Sequence, residues 1–202
     1  EFWGADDWLL FAADGPRVEL RQLLDAGSGA GRTTRLSAYC TDVSQNGQRA
    51  IAGGSRGPWT LMERQDGDLR ELAAWSPAQP SRLTRLDREG RRIWTGPDIL
   101  DAMTGRKLVS LTGRAVTTGD WVGTNHLVLA ERQDTRNWLR LVDATTGDNV
   151  SSRSTGHSRI LSVVGGPDGR TFAEAGHDRY VRIRDRDSLT VRREFRAHDA
   201  PV

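Results

Sequence analysis

Cysteine is almost absent from this chain: Cys40 is the only one in 202 residues. A single thiol excludes an intramolecular disulfide and any thiol-rich metal site. Lysine is equally scarce, because Lys107 is the only lysine among 29 basic residues. The arginines are spread through every segment and interleaved with carboxylates, which fits the codon bias of a GC-rich, bacterial genome better than a phosphate-recognition patch. Charge of one sign is missing too, since 29 Lys plus Arg face 27 Asp plus Glu, a net +2. The sequence pI of 9.2 reflects how little titrates between neutral pH and pH 9, and no strong field for nucleic acid follows. No nucleic-acid partner is expected.

Long apolar runs are also lacking, and nothing approaches the ~20 residues that span a bilayer. No membrane partner is expected either. The start, Glu1-Phe2-Trp3, carries neither Met nor a signal-peptide pattern, so we expect that the gene begins elsewhere and that the protein is cytoplasmic. The histidines 126, 157, 177 and 198 stand 20 or more residues apart, without the paired spacing of metal ligands. Neither a metal nor a cofactor is expected. The stretch 27–34, Gly-Ser-Gly-Ala-Gly-Arg-Thr-Thr, has the look of a phosphate-binding loop, but Ala26 holds the place of its leading glycine and Arg32 that of its lysine. A flexible link is the better reading.

What is present is a beat. Acidic residues recur at Glu63, Asp101, Asp143 and Asp185, in steps of 38, 42 and 42 residues, each closing a short apolar stretch. Glycines 67, 105 and 147 keep the same spacing, as a turn needing positive φ requires. The clearest unit offers strands at 160–164, 171–176, 180–184 and 190–195, with Val181 and Ile183 on one face and Tyr180, Arg182 and Arg184 on the other. The preceding unit carries the apolar run 127–130, suited to a buried strand, and the strand 139–143. Earlier strands are expected at 82–86, 92–95 and 99–101, and at 39–43, 50–53, 59–62 and 69–74. The segments 2–4, 8–12 and 18–24 look like three strands of a unit lacking one. The turn 44–49 mirrors 166–171.

A repeat of about 40 residues with Gly156-His157 at its head, Asp178 in the second turn and Asp185 at the close of the third strand resembles the WD-repeat family. The resemblance spans nearly the whole chain and is strongest over 113–202. It implies an all-β fold: a β-propeller of four-stranded antiparallel blades, four to five in this chain, forming part of a seven-bladed ring. A single domain over 1–202 is expected, with a partial blade at 1–24, blades at about 37–75, 81–111, 114–153 and 157–196, and the start of another at 197–202. A five-bladed ring, closed by the C-terminal tail pairing with 2–24, is the rival.

The family staples each blade with a hydrogen-bonded His, Asp, Ser or Thr, and Trp. His157 and Asp178 match the first two, yet the Trp place holds Met62, Leu100, Val142 and Arg184. The pair resembles part of a charge relay, but no nucleophile elbow accompanies it, so a structural role is preferred. An arginine inside a blade needs a partner to offset its desolvation. Glu174, across from Arg182 or diagonal to Arg184, is the expected one. The seven tryptophans are read as packing between blades rather than as a binding surface.

The resemblance implies a non-catalytic scaffold, or a sensor or regulatory module of a larger bacterial multidomain protein or complex. Its partner would be a protein or peptide, or further blades and domains of the same polypeptide. Contacts would fall before each first strand and in the second-to-third turns, where Arg114, Arg159 and His177 stand. The stretches 101–108 and 143–147 also resemble repeats of quinoprotein dehydrogenases, an enzyme alternative. That reading requires a Trp after the glycine, where Ser110-Leu111 and Val150-Ser151 stand instead.

Overall fold

The computed structural model describes residues 2–3, 8–13, 17–22, 40–53, 58–65, 68–76, 81, 83–113, 115–156 and 159–197. All regular structure among them is β, so no helix there is long and apolar enough to cross a membrane. The strands are β1 (Phe2–Trp3), β2 (Trp8–Ala13), β3 (Arg17–Gln22), β4 (Cys40–Val43), β5 (Arg49–Gly53), β6 (Trp59–Gln65) and β7 (Asp68–Trp75). They continue as β8 (Arg85–Leu86), β9 (Arg92–Trp94), β10 (Asp98–Asp101), β11 (Lys107–Ser110), β12 (Val116–Trp121), β13 (His126–Gln133), β14 (Arg136–Asp143) and β15 (Asn149–Ser154). The last four are β16 (Ile160–Gly165), β17 (Thr171–Gly176), β18 (Tyr180–Asp185) and β19 (Val191–Arg196). One sheet is three-stranded, β1-β2-β3, and four are four-stranded meanders: β4 to β7, β8 to β11, β12 to β15 and β16 to β19.

The chain forms two compact units, Glu1–Thr95 with Leu100–Lys107, and Gly96–Ile99 with Leu108–Val202. In the first, Ile51, Trp59, Leu61, Leu86, Ile93 and Ala102 make one core, with Leu72, Ala73 and Trp75 packed against it. In the second, Val122, Val128, Ala130, Leu139 and Leu141 are buried with Ile160, Val163, Phe172 and Leu189. Each fully buried aliphatic side chain of this kind is worth about 1.5–3 kcal/mol. Trp59, Trp94 and Trp121 are wholly buried, and Trp75 lies 5.4 Å from Trp59 with its indole N–H donating to the Ala102 carbonyl.

Three strand connections share one construction. In 44–49, 87–92 and 166–171 the first residue's N–H donates to the sixth residue's carbonyl, at 2.8–2.9 Å, and the fourth residue is a glycine at φ of 64–67°. Only that residue's missing Cβ makes such a φ inexpensive.

The acidic beat proves to have two meanings. Asp101, Asp143 and Asp185 each end a strand and fold the chain back. The Asp101 carboxylate accepts the Met103 and Thr104 N–H groups, and Asp185 those of Asp187 and Ser188. Asp143 accepts those of Thr145 and Thr146. Gly105 and Gly147 then donate to the carbonyls of Asp101 and Asp143, with φ of 68° and 84°. Glu63 differs: β6 runs past it to Gln65, and Glu63 sits mid-strand opposite Arg49, whose Nε it holds at 3.0 Å. An apolar run that stops at Met62 hides the last three residues of that strand, which face solvent in part. Gly67 lies outside the described residues.

Two other expectations are corrected. The strand expected at 82–86 is only β8, and β12, Val-Thr-Thr-Gly-Asp-Trp, was missed because its polar residues break the alternation. In β18 the period of two is present, and the arginine face is the inner one, as expected for Arg184 with Glu174 as its partner. Arg182 and Arg184 are buried, at 6% and 3% exposure, whereas Val181 and Ile183 are half-exposed.

Candidate functional site

The burial of Arg184 follows from register. Pairing of β17 with β18 sets Glu174 opposite Arg182 and Phe172 opposite Arg184, so all four share one face. Glu174 is 2% exposed and accepts the Arg184 Nη2 at 2.8 Å, with Arg182 Nη1 at 3.7 Å. Arg184 Nη1 also donates to the Leu189 carbonyl at 2.8 Å. Arg182 reaches Asp178 at 2.7 Å and Glu194, and lies over the Tyr180 ring. Two arginines and the Glu174 carboxylate are therefore buried in this sheet, with Asp178 partly buried and Glu194 exposed at its margin. Glu174 Oε2 and Arg184 Nε remain buried without a partner, so the cluster is costly as well as cohesive. His157, the expected partner of Asp178, lies outside the described residues, as does Arg114.

Arg159 and His177 are both exposed, and the His177 N–H donates to the Arg159 carbonyl at 3.1 Å. The chain entering β16 is thus tied to the β17–β18 turn, and two of the expected surface residues stand together. That turn contains Arg179 at φ 72°, as the β13–β14 turn contains Asp134 at φ 56°. The two turns are repeat equivalents at the same edge of their sheets.

Beside the β13–β14 turn is a pocket of about 310 Å³ lined by Gly113, Ala115, Glu131, Arg132, Gln133 and Arg140. Glu131, 7% exposed, accepts the Arg140 Nε, and Arg140 lies 5.6 Å over the Trp138 ring. Arg132 donates only its Nε, to the Asp134 carbonyl at 3.4 Å. Among the described residues, the outer nitrogens of neither guanidinium make a hydrogen bond. This pocket escaped the sequence reading because Glu131 and Arg140 are nine residues apart and meet only through the hairpin register.

Several carboxylates elsewhere are engaged by their own turns. The Thr104 hydroxyl lowers the Asp101 pKa, the Thr145 hydroxyl that of Asp143, and the Arg170 N–H that of Asp168. Asp185 is held far below the usual carboxylate range by the Ser188 N–H first and Arg192 second. The stretches that resemble quinoprotein repeats, 101–108 and 143–147, are two of these turns. Among the described residues no group of three His, Cys, Asp or Glu side chains is placed to hold a metal ion. The phosphate-loop-like stretch 27–34 lies outside the described residues.

No protein-family model matches the sequence, and no curated protein matches it. Solved structures do match. The crystal structure of the Myceliophteria thermophila Cps50 (Swd1) β-propeller domain aligns over 97% of this chain and 70% of its own, with a TM-score of 0.75 at 15% identity. The fold is that of a β-propeller. A chain in the crystal structure of a Mitotic Checkpoint Complex aligns over all of this chain and 65% of its own, with a TM-score of 0.74 at 16% identity. This chain therefore spans about two thirds to seven tenths of the propeller chains it resembles. At such identities the likeness establishes the fold, and the four-stranded sheets are propeller blades.

Proposed function

We propose that this propeller is a non-catalytic interaction module of the WD-repeat kind, a scaffold or regulatory part of a larger bacterial protein or complex in the cytoplasm. Its partner is a protein segment that lies along the turn edge of the blades and offers carboxylates. One observation carries the reading: Arg132 and Arg140 line one pocket, and among the described residues their outer nitrogens make no hydrogen bond. A guanidinium fork matches a carboxylate through two parallel hydrogen bonds, and Arg140 is already oriented by Glu131 and Trp138. Arg159 and His177 extend the same edge on the next blade. That one structural neighbour was solved in a Mitotic Checkpoint Complex supports a role in assembly rather than turnover.

The test is binding of a fluorescent Glu/Asp-rich peptide, with a Lys-rich peptide of equal length as control. Saturable binding to the acidic probe, weakened about tenfold or more by Arg132→Glu, is the expected result, since truncating a charged contact costs more than about 1.4 kcal/mol. Equal binding of both peptides, or an acidic-peptide affinity unmoved by Arg132→Glu, overturns the proposal. Arg132 is exposed, so the variant leaves the core intact.

A further inference from the structure

Two blades set an arginine over an aromatic ring at the same place and treat it differently. A step of 42 residues carries Trp138 and Arg140 of β14 onto Tyr180 and Arg182 of β18, as it carries Asp143 onto Asp185. In both, the guanidinium lies over the ring, 5.6 Å from the Trp138 centroid and 5.5 Å from that of Tyr180. The outer strands keep the step as well, because Arg140 pairs with Ser152 and Arg182 with Glu194.

The sheet β16 to β19 supplies the acids that Arg182 needs. Glu194 holds its Nε, Asp178 lies 2.7 Å from its Nη2, and Glu174 lies 3.7 Å from its Nη1. Every nitrogen of that guanidinium faces a carboxylate of its own sheet, and the side chain is 7% exposed. Arg140 meets a single acid among the described residues, Glu131 at its Nε, and its side chain is 23% exposed. The same step puts Ser152 where Glu194 stands and Arg136 where Asp178 stands. Across the sheet, Leu129 faces Arg140 where Glu174 faces Arg182. The acids that would occupy the outer nitrogens of Arg140 are thus missing from its own blade, and the pocket of about 310 Å³ opens beside it.

Resting on the reading of this pocket as the seat of an acidic protein segment, we infer that one carboxylate of that segment takes both outer nitrogens of Arg140. It fills the place that the following blade fills with its own Asp178 and Glu174. Arg140 is therefore the residue that selects the acid, held in position by Glu131 and Trp138. The two arginines and Glu131 sum to one positive charge, which a single carboxylate neutralises. A phosphoryl dianion would leave a negative charge uncompensated beside Glu131, which is only 7% exposed. The group selected is a glutamate or aspartate side chain rather than a phosphorylated one.

The test sets Ser152→Glu against Ser152→Gln in the full chain, with the fluorescent Glu/Asp-rich peptide as probe. Ser152 is exposed, and Glu194 shows that a blade accepts a glutamate at that place. Ser152→Glu supplies the missing acid from within and is expected to weaken peptide binding about tenfold or more. Ser152→Gln, of the same size but uncharged, is expected to leave it unchanged. Arg140→Lys keeps the charge and loses the fork, and is expected to weaken binding by a similar factor. A peptide with phosphoserine at each acidic position is expected to bind less tightly than the acidic one. Binding unmoved by Ser152→Glu or by Arg140→Lys, equal losses with Glu and Gln at 152, or tighter binding of the phosphopeptide overturns the inference. Loss with Arg132→Glu but none with Ser152→Glu keeps an acidic partner on this edge and removes Arg140 as its seat. An acidic peptide that does not bind at all overturns both.

Discussion

At Arg184 the chain places a guanidinium inside a sheet, and the surrounding residues answer with charge rather than shape. Glu174 carries the main burden, bonded to Arg184 at 2.8 Å and 3.7 Å from Arg182, all three nearly inaccessible. Removing one member of such a cluster leaves an uncompensated buried charge, which costs more than the pair itself contributes. Glu174→Ala is expected to lower unfolding stability by about 3–5 kcal/mol, read from urea denaturation. The double variant Glu174→Leu with Arg184→Met is expected to recover most of that loss. It also removes the two atoms, Glu174 Oε2 and Arg184 Nε, that are buried without partners. Leu189 shows a related conflict: it occupies the turn place of Gly105 and Gly147, at φ 55°, yet is completely buried. Burial of a leucine, about 2–5 kcal/mol on truncation, outweighs the ~1–2 kcal/mol of a left-handed backbone.

At the scale of the strand and its turn, the beat of aspartates is a device for reversing direction. Each carboxylate takes two backbone N–H groups that the bend leaves without sheet partners, and a hydroxyl from Thr104, Thr145 or Ser188 joins them. These bonds favour the ionised form, so the folded pKa of Asp101, Asp143 and Asp185 lies below the ordinary value of about 3.9. As pH falls, the unfolded chain therefore takes up protons first. The contribution to stability is whole above the ordinary value and is lost as pH drops through the folded one. Asp143→Asn keeps an oxygen to accept the N–H groups but removes the titration. It is expected to leave the urea midpoint near neutral pH little changed and to flatten its decline below about pH 4. The beat and the turns 44–49 and 166–171 were readable because they are local: donor and acceptor lie within five residues.

At the scale of the blades, stability within each unit depends on contacts between sheets. Gly165 shows how close these approach, since a Cβ there would fall 1.9 Å from the Trp121 carbonyl. Its N–H donates to Asp120, as Leu86 does to Asp42, and the two aspartates stand at equivalent places in β12 and β4. Asp120→Ala is expected to cost about 1.5–3 kcal/mol, the range for a charge-assisted bond that leaves a donor unpaired. Thermal unfolding of the variant measures it. No spacing rule in the sequence marks Asp42 or Asp120, because their partners lie 44 and 45 residues away on another sheet. The pocket of Arg132 and Arg140 is hidden for a different reason: its residues are near in sequence but meet only through the register of one hairpin.

The amino-acid sequence by itself determined the period, most of the strands and several of the turns. Alternation, the positive-φ glycines and the aspartates that bind their own backbone are properties of a few neighbouring residues. It also placed Arg159 before a first strand and His177 in a second-to-third strand turn. Which face of each strand is buried was decided only in three dimensions. Alternation alone separates Val181 and Ile183 from Arg182 and Arg184 without choosing between the faces; the neighbouring blade covers that of the arginines, where Glu174 stands opposite. Burial belongs to the pair of surfaces that meet, and a sequence shows only one of them at a time.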